Sequence, residues 1–167
     1  VVSIFTSRAC AARLPASMWW LMAYSVLMGL SQSALATYTA IYAFEAVSFT
    51  ATSAGLLTGM LGITGVAARI GWGVWAHGLK GVRPLQAMAL GSVPATAGLI
   101  AAQVVGAPLL WVAVIALGIT SWIWNLCVTI VVFRLVPATL TGQATGRVYL
   151  GFAAGMMVGP LVFGLIV

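Results

Sequence analysis

Of 167 residues, 63% are hydrophobic and 5% are charged, against about 25% charged in an ordinary soluble domain. No water-soluble fold of this size hides so much apolar surface, so the chain is read as an all-α, polytopic membrane helix bundle. Seven Lys and Arg oppose one acid, Glu45, and a mean hydropathy of +1.16 makes that excess a contact with anionic lipid headgroups and not a nucleic-acid footprint.

In chain order, Val1 to Phe5 is too short to span a bilayer, and Arg8 and Arg13 follow it, the reverse of signal-peptide order. Residues 1–17 are read as a cytoplasmic segment. From the start without Met and the stop inside an apolar run, the chain is expected to be a piece of a longer one. A spanning helix takes about 20 apolar residues. Five stretches qualify within a transmembrane bundle over 18–167: 18–44, 53–76, 84–105, 109–133 and 143–167. The first is entered through Pro15, with Trp19 and Trp20 as an interfacial belt, and Glu45 closes it. Gly106, Ala107 and Pro108 form the tight turn between the third and the fourth.

Charge tests that count independently. Five spans put Arg8, Arg13, Lys80, Arg83 and Arg134 on one side, with Arg69 and Arg147 in snorkelling reach of it, and leave Glu45 on the other. The basic side is cytoplasmic by the positive-inside rule, so the N-terminal end is cytoplasmic.

The polar residues inside the spans are patterned. Ser25, Gln32 and Thr39 repeat at seven and share a face of the first helix. Ser121, Asn125 and Thr129 repeat at four on the fourth, with Trp122 beside them. Such stripes face either neighbouring helices, as interhelical hydrogen bonds, or a wet cavity. Both readings stand for each of these residues as a substrate-cavity candidate, and Asn125 is the strongest, having an amide and Trp122 for stacking. Gln86, Ser92, Thr96 and Gln103 on the third span have no account at this level. Glycines recur at helix-packing spacing: Gly55 and Gly59 on the second span, and Gly151, Gly155 and Gly159 on the fifth, followed by Pro160, which should bend the helix. One His, one Glu and two Cys assemble no catalytic constellation and no metal cluster, so neither an enzyme nor a cofactor or metal site is expected.

The stretch Arg69 to Arg83 carries a family resemblance. Gly73, three residues, His77, Gly78, Leu79, Lys80, Gly81, Val82 and Arg83 resembles the cytoplasmic loop motif of the major facilitator superfamily, which reads Gly, three residues, Asp, Arg, any, Gly, any, Arg. Gly73, Gly81 and Arg83 keep the spacing; His77 stands for the Asp and Gly78 for the first Arg, as in the degenerate second copy of the motif. Gly151 to Gly164 is similar to the family's glycine-rich fifth or eleventh helix. Trp124-Asn125, Pro137 and Gly142 to Gly146 look like the tenth helix and the loop after it.

The resemblance implies part of a secondary active transporter that moves a small solute by alternating access. It implies most of the C-terminal six-helix half, helices seven to eleven, with the first half as the other assignment and a bacterial inner membrane as the location. The partners implied are a small-molecule solute, the bilayer and the other half of the transporter. In that arrangement the first and fourth spans line the cavity, the second and fifth form the surface between the two bundles, and the third faces lipid. The competing class is a small helical subunit or assembly factor that does not transport by itself.

Overall fold

The computed structural model describes residues 16–76 and 82–165, and these are helical nearly throughout. Six α-helices follow in order: α1 (Ser17–Ala46), α2 (Ala51–Ala76), α3 (Arg83–Val105), α4 (Ala107–Thr120), α5 (Trp124–Leu135) and α6 (Thr141–Gly164). A 3-10 turn, Ser121–Ile123, joins α4 to α5, so the two make one interrupted span. The sequence reading took that span as one unbroken helix; the interruption at its middle is the main correction to it.

Among the described residues, four stretches are long and apolar enough to cross a membrane: Ala51–Val74, Arg83–Val105, Ala107–Leu135 and Thr141–Gly164. With 30 residues, α1 has the length as well. Its Ser, Thr, Tyr and Gln residues hold its hydropathy below that of the other four, and the bundle turns many of them inward, where they find partners.

Turn chemistry sets the helix ends. Pro84 and Pro108 sit in the first turns of α3 and α4, where a missing N–H costs nothing. Gly106 joins these helices at φ 97°, a conformation that a side chain strains. Pro94 and Pro160 lie inside α3 and α6 without ending them, as membrane helices tolerate.

The helices assemble in two parallel pairs. Along α1 and α6, Gly151 lies against Met22, Gly155 against Val26 and Leu30, and Gly159 against Leu30 and Ser33. Gly29 answers from α1 against Phe152 and Met156. Along α2 and α4, Gly118 lies against Leu61 and Thr64, and Trp122 lies on Gly65. Then α3 runs antiparallel along α4, with Gly91 at Thr120 and Gly98 at Ala113. Small residues bring these backbones together, as expected where lipid leaves dispersion and close fit to hold helices together.

Two separate buried cores result. One joins Ala43, Leu57, Leu61, Ala95, Leu110, Val114 and Leu117, drawn from α1 to α4. The other joins Met18, Leu21, Met88, Ile123, Trp124, Cys127, Val128, Val131 and Val148, drawn from α1, α3, α5, α6 and the end of the 3-10 turn. Arg83, Arg134 and Arg147 belong to the end of the bundle on the side of the second core, and all are exposed. Glu45 lies at the opposite end. Trp19 and Trp20 project outward near the basic end, 71% and 80% exposed, where an interfacial belt would lie.

Candidate functional site

The polar stripe of α1 is buried, but its members do different things. The Ser25 hydroxyl donates to the Leu21 carbonyl and the Thr39 hydroxyl to the Leu35 carbonyl, both within α1. These two hydroxyls donate within their own helix, so neither bond ties α1 to another helix. Gln32 differs: its Nε2 donates to the carbonyl of Ser121 at 2.7 Å, across to the α4–α5 junction. The same helix sends two further bonds outward. Tyr38 donates to the Pro160 carbonyl of α6 at 3.1 Å, and Tyr42 to the Leu99 carbonyl of α3 at 2.8 Å. Through Gln32, Tyr38 and Tyr42, α1 holds one backbone acceptor on each of three neighbours. Sequence spacing pointed to Gln32 but not to the two tyrosines, because a repeat of seven does not pass through positions 38 and 42.

The stripe on the fourth span divides at the 3-10 turn. Ser121 is buried, whereas Trp122, Asn125 and Thr129 are half-buried. Trp122 covers Gly65 of α2. On α5, Asn125 Oδ1 accepts from the Leu126 amide at 2.8 Å, and its Nδ2 has no partner among the described residues. The Thr129 hydroxyl donates to the Asn125 carbonyl at 2.7 Å and lies 3.3 Å from the Tyr149 hydroxyl of α6. Trp124 backs this group, its ring centroid 4.3 Å from that of Phe152 and 5.8 Å from that of Tyr149. Asn125, Thr129 and Tyr149 thus form a small polar wall on an aromatic floor, with a free amide donor and an adaptable hydroxyl pair. Nearby on α6, the Thr145 hydroxyl is buried without a partner among the described residues. The sequence reading missed Tyr149. Its signal was the Tyr149–Phe152 spacing of three, which puts both rings on one helix face.

A concavity of about 780 Å³ opens between α1, α3 and α6 towards the Glu45 end. Ser31, Tyr38, Thr39, Tyr42, Ser92 and Thr96 contribute to its lining. Most of these hydroxyls are already engaged: Ser92 donates to Ala89 and Thr96 to Ser92, both within α3, and Thr39, Tyr38 and Tyr42 bond as described. This gives Ser92 and Thr96 the account that the sequence lacked; Gln86 and Gln103 are exposed, and of the two Gln103 has its side chain in hydrogen-bonding contact with Tyr42. What the concavity offers an occupant is chiefly apolar.

The glycine pairs also divide. Gly151, Gly155 and Gly159 meet α1 inside this chain, so they are not a surface waiting for another bundle. Gly55 and Gly59 of α2 have open space beside them. The Pro160 carbonyl is the acceptor for Tyr38. Of the loop motif, Gly73 and Arg83 are placed, at the end of α2 and the start of α3, while His77, Lys80 and Gly81 lie outside the described residues. No cluster of three or more metal-binding side chains occurs among the described residues.

Compared with known proteins, residues 3–167 match the family described as Major Facilitator Superfamily. No curated protein and no solved structure gives a match.

Proposed function

Because the chain belongs to the major facilitator superfamily, a family of membrane transporters, we propose that it supplies one wall of the solute path in a secondary active transporter that works by alternating access. The observation that carries this reading is the polar group on α5 and α6. Asn125 and Thr129 are half-buried and Tyr149 is partly exposed, side by side on α5 and α6, in a bundle whose exposed large hydrophobic side chains are mostly aliphatic. Exposed polar groups at membrane depth are costly against lipid, and they persist where they face a wet cavity. A carboxamide donor, two hydroxyls and an aromatic ring suit a small neutral or polar solute held by hydrogen bonds and stacking.

In this reading the open face of α2 with Gly55 and Gly59 meets the other half of the transporter. The ends bearing Arg83 and Arg134 lie at the cytoplasmic face of a bacterial inner membrane, against anionic headgroups. The chain performs no covalent chemistry. The test is uptake by the full-length protein in cells or proteoliposomes. Asn125→Ala and Tyr149→Phe should each reduce solute uptake severalfold at normal protein level in the membrane. Uptake equal to wild type in both would remove these residues from the path.

A further inference from the structure

The α4–α5 junction has three features that meet at one level of the bundle. The first is the backbone. Thr120 and Ile123 have φ near −101° and −100°, well away from the helical value of about −63°, and the 3-10 turn between them tightens the span for three residues. The second is the split core. The buried cluster shared by α1 to α4 ends on this span at Leu117, and the other cluster begins at Ile123. The third is the grip on each side. Above the turn, α4 is seated by backbone-close contacts, Gly118 on Leu61 and Thr64, and Thr120 on Gly91. Below it, α5 rests on α6 through Trp124 and Phe152. A span interrupted between two separately packed cores can move about the interruption without dissolving either core, because packed cores behave as rigid bodies.

One side chain crosses this level from outside. Gln32, at the middle of α1 and 7% exposed, donates to the Ser121 carbonyl, the first residue of the turn. A carbonyl at such a junction keeps a lone pair directed away from its own helix. We propose that Gln32 is a positioning residue, a latch that holds the α4–α5 junction in its present conformation and so sets the position of the Asn125–Thr129 wall carried by α5. It touches the backbone of the hinge and not the solute. Losing the donor leaves a buried carbonyl unsatisfied and shifts the hinge equilibrium by at least about fivefold.

The experiment uses the full-length protein with Cys10 and Cys127 replaced by Ala and a single Thr129→Cys, labelled by a maleimide from the Arg134 side. Gln32→Leu keeps the volume and removes the donor. It should raise the labelling rate at position 129 at least about fivefold. If Gln32→Leu does not accumulate, Gln32→Glu keeps the length and donates only when protonated. Its labelling rate, divided at each pH by that of the Gln32 protein, should rise as pH rises through the carboxyl's titration. A flat ratio, or unchanged labelling in Gln32→Leu, overturns the latch. The kinetic arm alone rests on the transporter reading: in proteins with Thr129 and both cysteines intact, Gln32→Leu should change kcat and leave the KM for the solute within about twofold. A raised KM with unchanged labelling would make Gln32 a solute contact. Because the labelling arm needs no transport, failure of the latch and failure of the transport reading are separately visible.

Discussion

The contact between α1 and α6 can be tested at single-atom scale. A Cβ built on Gly155 would collide with the Val26 carbonyl and approach the Leu30 amide nitrogen at 3.0 Å. Both are backbone atoms of a helix that cannot rotate out of the way as a side chain can. One on Gly29 would collide with the Phe152 carbonyl, again backbone. The two helices must therefore separate locally, and separation loses dispersion contacts along a stretch where Gly151, Gly155 and Gly159 otherwise sit directly on α1. Overpacking of this kind costs about 1–3 kcal/mol. Offsetting it, Ala is a better helix former than Gly by about 1 kcal/mol.

The net loss is therefore about 0–2 kcal/mol at Gly155 or Gly29, and a gain of about 1 kcal/mol is expected where nothing faces the new methyl. Gly146, on the same helix, is such a position, with nothing within 4 Å. The assay is thermal unfolding of the full-length protein in detergent, followed by loss of the monodisperse peak. Gly155→Ala and Gly29→Ala should melt below Gly146→Ala. Gly155→Leu should fall further, since a longer side chain has no space between backbones. If Gly155→Ala melts with or above Gly146→Ala, the close α1–α6 approach is wrong.

Three further outcomes are expected. Single cysteines at Glu45 and Arg134, probed on intact cells with an impermeant thiol reagent, should label at 45 only; labelling at 134 would invert the proposed orientation. Tyr42→Phe should lower the melting temperature modestly, by the net worth of one neutral hydrogen bond, about 1 kcal/mol, and leave solute KM unchanged, because Tyr42 holds Leu99 of α3. His77→Asp puts a negative charge close in sequence to Lys80 and Arg83, so it should reduce cytoplasmic labelling of a cysteine at 129; unchanged or increased labelling would refute the charge argument for this loop.

Much of the fold was legible because membrane burial leaves a strong signal in composition and few choices of backbone. Long apolar runs become helices, since no other open element satisfies its N–H and C=O groups in lipid. The turns announced themselves through Gly106 and Pro108, and the α1–α6 contact through the fourfold spacing of Gly151, Gly155 and Gly159. What spacing could not give was the partner of that stripe. A glycine row states that a backbone comes close, not which one, and here the partner is α1 of the same chain. The break at Ser121–Ile123 was also hidden. Neither Pro nor Gly marks it, and its cause lies in tertiary contacts: Thr120 on Gly91, Trp122 on Gly65, and Gln32 on the Ser121 carbonyl.

The candidate site was half legible for a related reason. Period locates a face, but hydroxyls on one face have two ways to be satisfied in lipid. Ser and Thr reach the carbonyl one turn back on their own helix, as Ser25, Thr39, Thr64, Ser92, Thr96 and Thr120 all do. Residues with longer polar side chains cannot close that short ring so easily and reach across. The cross-helix donors of α1 are accordingly Gln32, Tyr38 and Tyr42, not the serines and threonines beside them. In a span of this kind, then, a Ser or Thr stripe is weak grounds for a cavity, and an amide or phenol is strong grounds for a contact with something outside its own helix. Gln32 finds its partner in the hinge. Asn125 spends its oxygen on the neighbouring amide, and its Nδ2 has no partner among the described residues. That asymmetry separates a carboxamide that holds the bundle from one whose donor is unspent, and it is the unspent donor that the proposed reading gives to a solute.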